Sequence, residues 1–202
     1  MDVVSREIAD ARVVEAFERV ARKDFVPEGS EQEADEDRPV GLPHRQTTSQ
    51  PSLIARMIEA AHVGPEDRVL EIGTGYGFQT ALLAVLAKEV VSVERYPALA
   101  ERARDNLKEA GASNVDVYVG DGWEGWPEKS PYDAMVVSAA AAEIPRALVA
   151  QLRAGGRLVV PLKRGRSDDV VALVKGAGDE VVEEQLITPA RFVPLVKGRP
   201  DA

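Results

Sequence analysis

The sequence has no cysteine, which excludes disulfides, thiolate metal sites, iron–sulfur clusters and cysteine nucleophiles by inventory alone. Histidine is almost as scarce: His44 and His62 cannot build a histidine-rich metal site, and no metal is expected. No apolar run approaches the length of a membrane span, so no membrane partner is expected. The opening MDVVSREIADARVVEAF carries charge through every apolar stretch, unlike a signal or transit peptide, and a cytoplasmic protein is the expectation. Positive charge is also in deficit, with 25 Lys and Arg against 34 Asp and Glu and a formal charge of -9. Binding to phosphate backbones rests on clustered Lys and Arg, so a nucleic-acid partner is disfavoured.

What is present suits one α/β domain over residues 1–202, since 45% of the 202 residues are hydrophobic. Three parts are expected within it: helices and a loop in 1–66, an α/β core in 67–162, and antiparallel strands in 163–197. Apolar residues at helical spacing predict one amphipathic helix from Val3 to Arg22, and a second from Ser52 to Ala61. Between them, six of the ten residues from Glu28 to Asp37 are acidic, which predicts an exposed, mobile loop. Pro39, Pro43 and Pro51 bracket a further loop, GLPHRQTTSQ.

From Asp67 onward, short apolar runs alternate with helical segments, the signature of a mostly parallel sheet. Strands are predicted at Arg68–Ile72, Val90–Glu94, Val115–Val119, Ala134–Ser138 and Arg157–Pro161. The helices between them are predicted at Phe78–Leu86, Pro97–Glu109 and Ile144–Leu152. Val170–Val174 and Val181–Ile187 lie too close together for a crossover helix, so an antiparallel hairpin is expected there.

VLEIGTGYGFQTALL sets Gly73, Gly75 and Gly77 between a buried strand and a helix. In an open α/β sheet this is where ligands bind, although tight turns use glycine for their own sake too. A dinucleotide loop follows G-x-G-x-x-G/A; here the third glycine comes one position early, and Phe78 stands where a small residue is needed. Glu71 would repel a pyrophosphate but favour the cationic groups of S-adenosylmethionine, unless it serves as an ion-paired or capping residue. Glu94, about twenty residues beyond the loop, is placed to accept hydrogen bonds from both ribose hydroxyls. Asp121 and Gly122 follow the third strand in VGDGWEGWP, positioned for an adenine or forming a D-G turn.

RPVGLPHRQTTSQP, VLEIGTGYGFQTALLA, GDGWEGWP, PYDAMVVSAAAAEIPRALVAQLRAGGRLVVPL and RFVPL occur in this order from about Arg38 to Val196. Together they resemble the protein-L-isoaspartate O-methyltransferases. The resemblance implies a Rossmann-like class I methyltransferase fold with an N-terminal helical extension and a C-terminal antiparallel hairpin. It implies methyl transfer from S-adenosyl-L-methionine to the free carboxylate of isoaspartyl residues, a repair of damaged proteins or peptides; separately, a monomer is expected. Ser49 falls on the family's active-site serine. Thr47, Thr48, Glu71, Gly73, Gly75, Gly77, Glu94, Asp121 and Gly122 fall on cofactor-binding positions, and Gln46, Val193, Pro194 and Leu195 on substrate-binding ones. The loop departs from the family where Pro43 and Arg45 replace glycines and Thr48 replaces isoleucine.

A carboxylate is already ionised at neutral pH, so its methylation needs no general base and the shortage of histidine is no objection. Three other functions stay open on the residues alone. The first is a relative that methylates aspartate in one dedicated partner; the second, a cofactor-binding module without catalysis; the third, a methyltransferase for small molecules or nucleic acids.

Overall fold

The computed structural model describes residues 2–198, so the expected span of 1–202 extends beyond the described residues at both ends. Six helices are named in chain order: α1 (Asp2–Glu7), α2 (Ala11–Arg19), α3 (Pro51–Ala61), α4 (Phe78–Leu86), α5 (Pro97–Glu109) and α6 (Arg146–Gln151). The strands are β1 (Val40–Leu42), β2 (Gln46–Thr48), β3 (Arg68–Ile72), β4 (Glu89–Glu94), β5 (Val115–Val119), β6 (Tyr132–Val137), β7 (Leu152–Arg164), β8 (Ser167–Lys175) and β9 (Val181–Ala190). β1 and β2 form a small antiparallel ribbon, and the remaining strands form one sheet in the order β5-β4-β3-β6-β7-β8-β9.

The first five strands in that order run parallel, while β8 and β9 return antiparallel. Side chains alternate across the strands, so both faces of the sheet must be covered. Val69, Val90, Val136 and Val159 enter a core shared with α2, α3, α4 and α5. Leu70, Val91, Met135 and Leu158 enter the opposite core with Leu148 and Val149 of α6. Pro97 suits the first turn of α5, and Gly111, at φ +75°, lets the chain leave it.

Three expectations need correction, the first because GLPHRQTTSQ is no plain loop: Gly41 and Leu42 pair with Thr47 and Gln46 in the β1–β2 ribbon. The single helix from Val3 to Arg22 is two, because Asp10 caps α2 by accepting from the Arg12 amide, and Glu59 of α3 accepts the Ala9 and Asp10 amides. The acidic segment has exposed side chains for the most part, yet it folds: Glu31–Asp35 form a 3-10 helix and Ala34 is buried. Buried Arg22 gathers its backbone, donating to the carbonyls of Ala34, Glu36 and Arg38. The C-terminal hairpin forms as expected, and β7 and β8 make a second one around Gly165.

Candidate active site

β3 is the switch point of the sheet: the chain passes from it to β4 on one side and later to β6 on the other, which opens a crevice at the strands' carboxyl ends. Two cavities meet in that crevice. The first, about 330 Å³, is bounded by Gly73, Gly75, Glu94, Leu99 and Gly122. The second, about 390 Å³, contains Ser49, Gln50, Arg191 and Phe192. Thr47, Ser138 and Val193 line both, so they form the passage between them.

Backbone geometry explains the glycines of the first cavity. Gly73 and Gly75 have φ +95° and +57°, where side chains are strained. A Cβ on Gly122 would stand 2.3 Å from Cγ2 of Ile72, so a larger residue would wedge the β5 end from β3. Gly77 lies outside the cavity; at φ +95° it caps α4, and a Cβ there would stand 3.2 Å from Cγ of Leu107. The segment from Val193 to Leu195 is pinned to the end of β6, because the Ala140 amide donates to the Val193 carbonyl at 2.8 Å and the Leu195 amide to the Ala140 carbonyl at 2.8 Å.

Glu94 is 5% exposed and borders the first cavity. One carboxylate oxygen accepts the Gly75 amide at 2.9 Å and the other the Tyr96 amide at 3.0 Å. Burial raises its pKa, and the amides of Tyr96, Gly75 and Arg95 oppose that rise. A carboxylate has about four lone-pair directions, so acceptor capacity remains here beside these amides for hydroxyls on adjacent carbons.

Other site residues fall differently from expectation. Glu71 lines neither cavity: Oε1 accepts from Gln79 at 2.9 Å, and Oε2 from Thr80 at 2.5 Å and Ser92 at 2.6 Å. It sits on the β3 face that meets α4, and so braces the glycine loop from beneath rather than meeting a cationic ligand. Asp121 also lies outside the cavities, accepting the Trp123 and Gly198 amides. Thr48 lines neither and pairs in register with Val40, while Gln46, Pro194 and Leu195, expected at the substrate, line the first cavity instead of the second.

Ser138 carries no assigned role in the sequence reading, yet it lines both cavities and accepts a hydrogen bond from Gln79 at 3.0 Å. Its signal was its place at the end of a predicted central strand. His44 stacks on Tyr96 at the cavity rim, with ring centroids 4.6 Å apart and planes 7° from parallel. His44 and Arg45 hold φ +59° and +58°. The left-handed turn usually given to glycine is therefore made here by two side chains, at roughly 1–2 kcal/mol per residue.

Complete burial raises the Glu71 pKa from 4.5 to about 7, against the opposing hydrogen bonds from Ser92, Thr80 and Gln79. A carboxyl with a raised folded pKa contributes stability that is complete below its unfolded pKa and lost as pH rises through the folded one. Wild-type protein should thus lose on the order of 3 kcal/mol relative to Glu71→Gln between about pH 4.5 and about pH 7. Chemical denaturation of both proteins across that window checks this, and parallel pH profiles would refute it.

Residues 3–200 match the family model of protein-L-isoaspartate(D-aspartate) O-methyltransferase. The chain belongs to this family. The protein-L-isoaspartate O-methyltransferase of Methanoculleus marisnigri is 50% identical over 192 residues, covering 95% of this chain and 86% of the relative. That of Myxococcus xanthus is 44% identical, covering 98% and 95%. Among solved structures, a protein-L-isoaspartate O-methyltransferase superposes with a TM-score of 0.86 at 30% identity; the match covers 98% of this chain and 64% of that one. A structure from Plasmodium falciparum in complex with S-adenosyl-L-homocysteine matches at 22% identity with a TM-score of 0.83, covering 98% of both chains. The latter supports the fold, a mostly parallel sheet with an antiparallel end.

Proposed function

We propose that the chain transfers the methyl group of S-adenosylmethionine to the free carboxylate of L-isoaspartyl residues, with the cofactor in the first cavity and the substrate in the second. The observation that carries this reading is the passage formed by Thr47, Ser138 and Val193. Methyl transfer needs donor and acceptor to approach from opposite sides of one opening, and two cavities sharing one wall supply that arrangement.

The residues around the first cavity fit this cofactor. Gly73 and Gly75 at positive φ and Gly122 with no room for a Cβ allow close approach, Ile72, Val93, Leu99 and Leu195 offer apolar surface, and Glu94 offers acceptors for a ribose. When bound, S-adenosylmethionine supplies an electrophilic methyl group on its sulfonium. Gly122, next to Ile72 and Leu195, is the proposed adenine contact, and Asp121 shapes that turn by accepting the Trp123 amide. Ser49 donates a hydrogen bond that holds the acceptor carboxylate, while Thr47, Gln50, Phe192 and Val193 surround the peptide. Acceleration comes mainly from proximity and orientation.

The decisive test is labelled-methyl transfer to an isoaspartyl peptide and to its aspartyl twin. Moving one methylene between backbone and side chain displaces the carboxylate, and an error of about 1 Å can cost about a hundredfold in rate. Transfer to the isoaspartyl peptide is expected to dominate; preference for the aspartyl twin, or for one dedicated partner protein, would replace repair with a tailoring role. In Ser49→Ala, turnover should fall about tenfold or more through loss of a charge-assisted hydrogen bond, with cofactor affinity retained. Wild-type turnover in that variant would make Ser49 a turn residue alone.

A further inference from the structure

We infer that the peptide flanking the isoaspartyl residue is held in a second, remote groove beside β9, so that one arm of the substrate is recognised well away from the reacting carboxylate. This rests on the substrate reading above and extends its site. An open groove of about 800 Å³ lies where β9 meets α3 and the junction of α1 and α2. Glu7 and Arg56 line both this groove and the cavity that contains Ser49, so the two are continuous. The Arg56–Glu7 ion pair at 2.9 Å forms the threshold between them.

β9 gives the groove an unusual wall. It ends the sheet, and no strand pairs with its outer edge among the described residues. Ten-residue edges are normally protected by charge, and Glu183 and Glu184 serve that purpose in the first half. Gln185 to Ala190 carry no charge at all, and Leu186 is 58% exposed. That uncharged half, interrupted only by the bulge at Ile187 and by Pro189, borders the groove and then the Ser49 cavity, so strand pairing is open at Gln185 and Leu186. An edge of this kind receives an extended peptide.

The chemistry of the groove suits a substrate of unrestricted sequence. Its carboxylates are already engaged: Glu59 accepts the Ala9 and Asp10 amides, Asp10 pairs with Arg12, and Glu7 with Arg56. With two arginines beside three carboxylates, charge selection of the flanking residues is weak. Recognition is left to the strand edge and to apolar contact with Leu186, Ile187 and Ala60. Damage arises wherever asparagine or aspartate occurs, so repair calls for this tolerance.

Distance sets the test. From Phe192 to Leu186 an extended chain spans about 20 Å, so a peptide arm needs about six residues to reach Leu186. Two series of neutral isoaspartyl peptides, lengthened on the N-terminal or the C-terminal side, would be compared by kcat/KM. One series should rise about tenfold as its arm passes that length, the worth of one buried leucine-sized contact. The ratio of long to short peptide should collapse in Leu186→Asp and persist in Val182→Asp, an exposed edge position outside the groove. Indifference to length in both series, or a ratio unchanged in Leu186→Asp, would overturn the groove alone. Transfer to no peptide of either series would overturn the substrate reading and the groove with it.

Discussion

Replacing Glu94 with alanine should weaken S-adenosylmethionine binding by about tenfold to a hundredfold, and should also lower the stability of the free protein. The first effect follows from losing charge-assisted hydrogen bonds to the proposed ribose, worth on the order of 1.5–3 kcal/mol. The second comes from geometry that only the folded chain reveals: the amides of Gly75 and Tyr96 lose their acceptor in a buried setting, at about 1–3 kcal/mol. Glu94→Gln keeps the shape but only one acceptor oxygen, and its amide nitrogen faces a buried N–H, so folding and affinity should both suffer there too. Titration calorimetry and denaturant melts of both variants measure each effect. Unchanged affinity in Glu94→Ala would remove the residue from the cofactor site, whatever happened to stability.

This double role marks the boundary of what was legible in the sequence. Strands and helices with local signals were readable: Arg68–Ile72, Phe78–Leu86, Pro97–Glu109 and Val115–Val119 form over the residues that periodicity, Pro97 and Gly111 predict. Gly73, Gly75, Glu94, Gly122 and Ser49 are placed at the crevice by their spacing and by family resemblance, and they border its cavities, whereas Gly77 does not. Long-range partners were not readable. Nothing near Ala9 and Asp10 announces that Glu59 will accept their amides and help split the helix. Charge and family resemblance both assign Glu71 to the cofactor, whereas its neighbours Thr80 and Ser92 come from different elements and are brought to it by folding. A local count of carboxylates likewise made residues 28–37 a mobile loop, because the cation that organises their backbone lies earlier in the chain.

That cation, Arg22, carries the other large effect. It is 7% exposed, and its guanidinium donates to four carbonyls: Ala34 at 3.3 Å, Glu36 at 3.0 Å, Arg38 at 2.9 Å and Ser49 at 3.1 Å. Three belong to the acidic segment and its end, and the fourth to the proposed catalytic residue. Burial lowers the Arg22 pKa, and the nearby Asp37 carboxylate offsets part of that penalty. The same Asp37 accepts the Ser52 amide at 2.9 Å and its hydroxyl at 2.8 Å, tying the segment to the start of α3. The acidic segment is therefore a frame that holds the Ser49 loop against α3, with Arg22 as its fastening. Arg22→Met should destabilise the protein by about 3 kcal/mol or more, because several carbonyls lose a donor together. Arg22→Lys is the sharper probe, since an ammonium retains the charge but cannot present a planar fork to four acceptors. In that variant kcat should fall about tenfold through misplacement of Ser49, while cofactor affinity, which depends on Glu94 and the glycine loop, stays at the wild-type value. Turnover measured on folded protein, beside calorimetry with the cofactor, decides the matter. Equal losses in both quantities would mean that Arg22 supports the whole fold, and wild-type turnover in Arg22→Lys would leave the Ser49 loop positioned by other contacts.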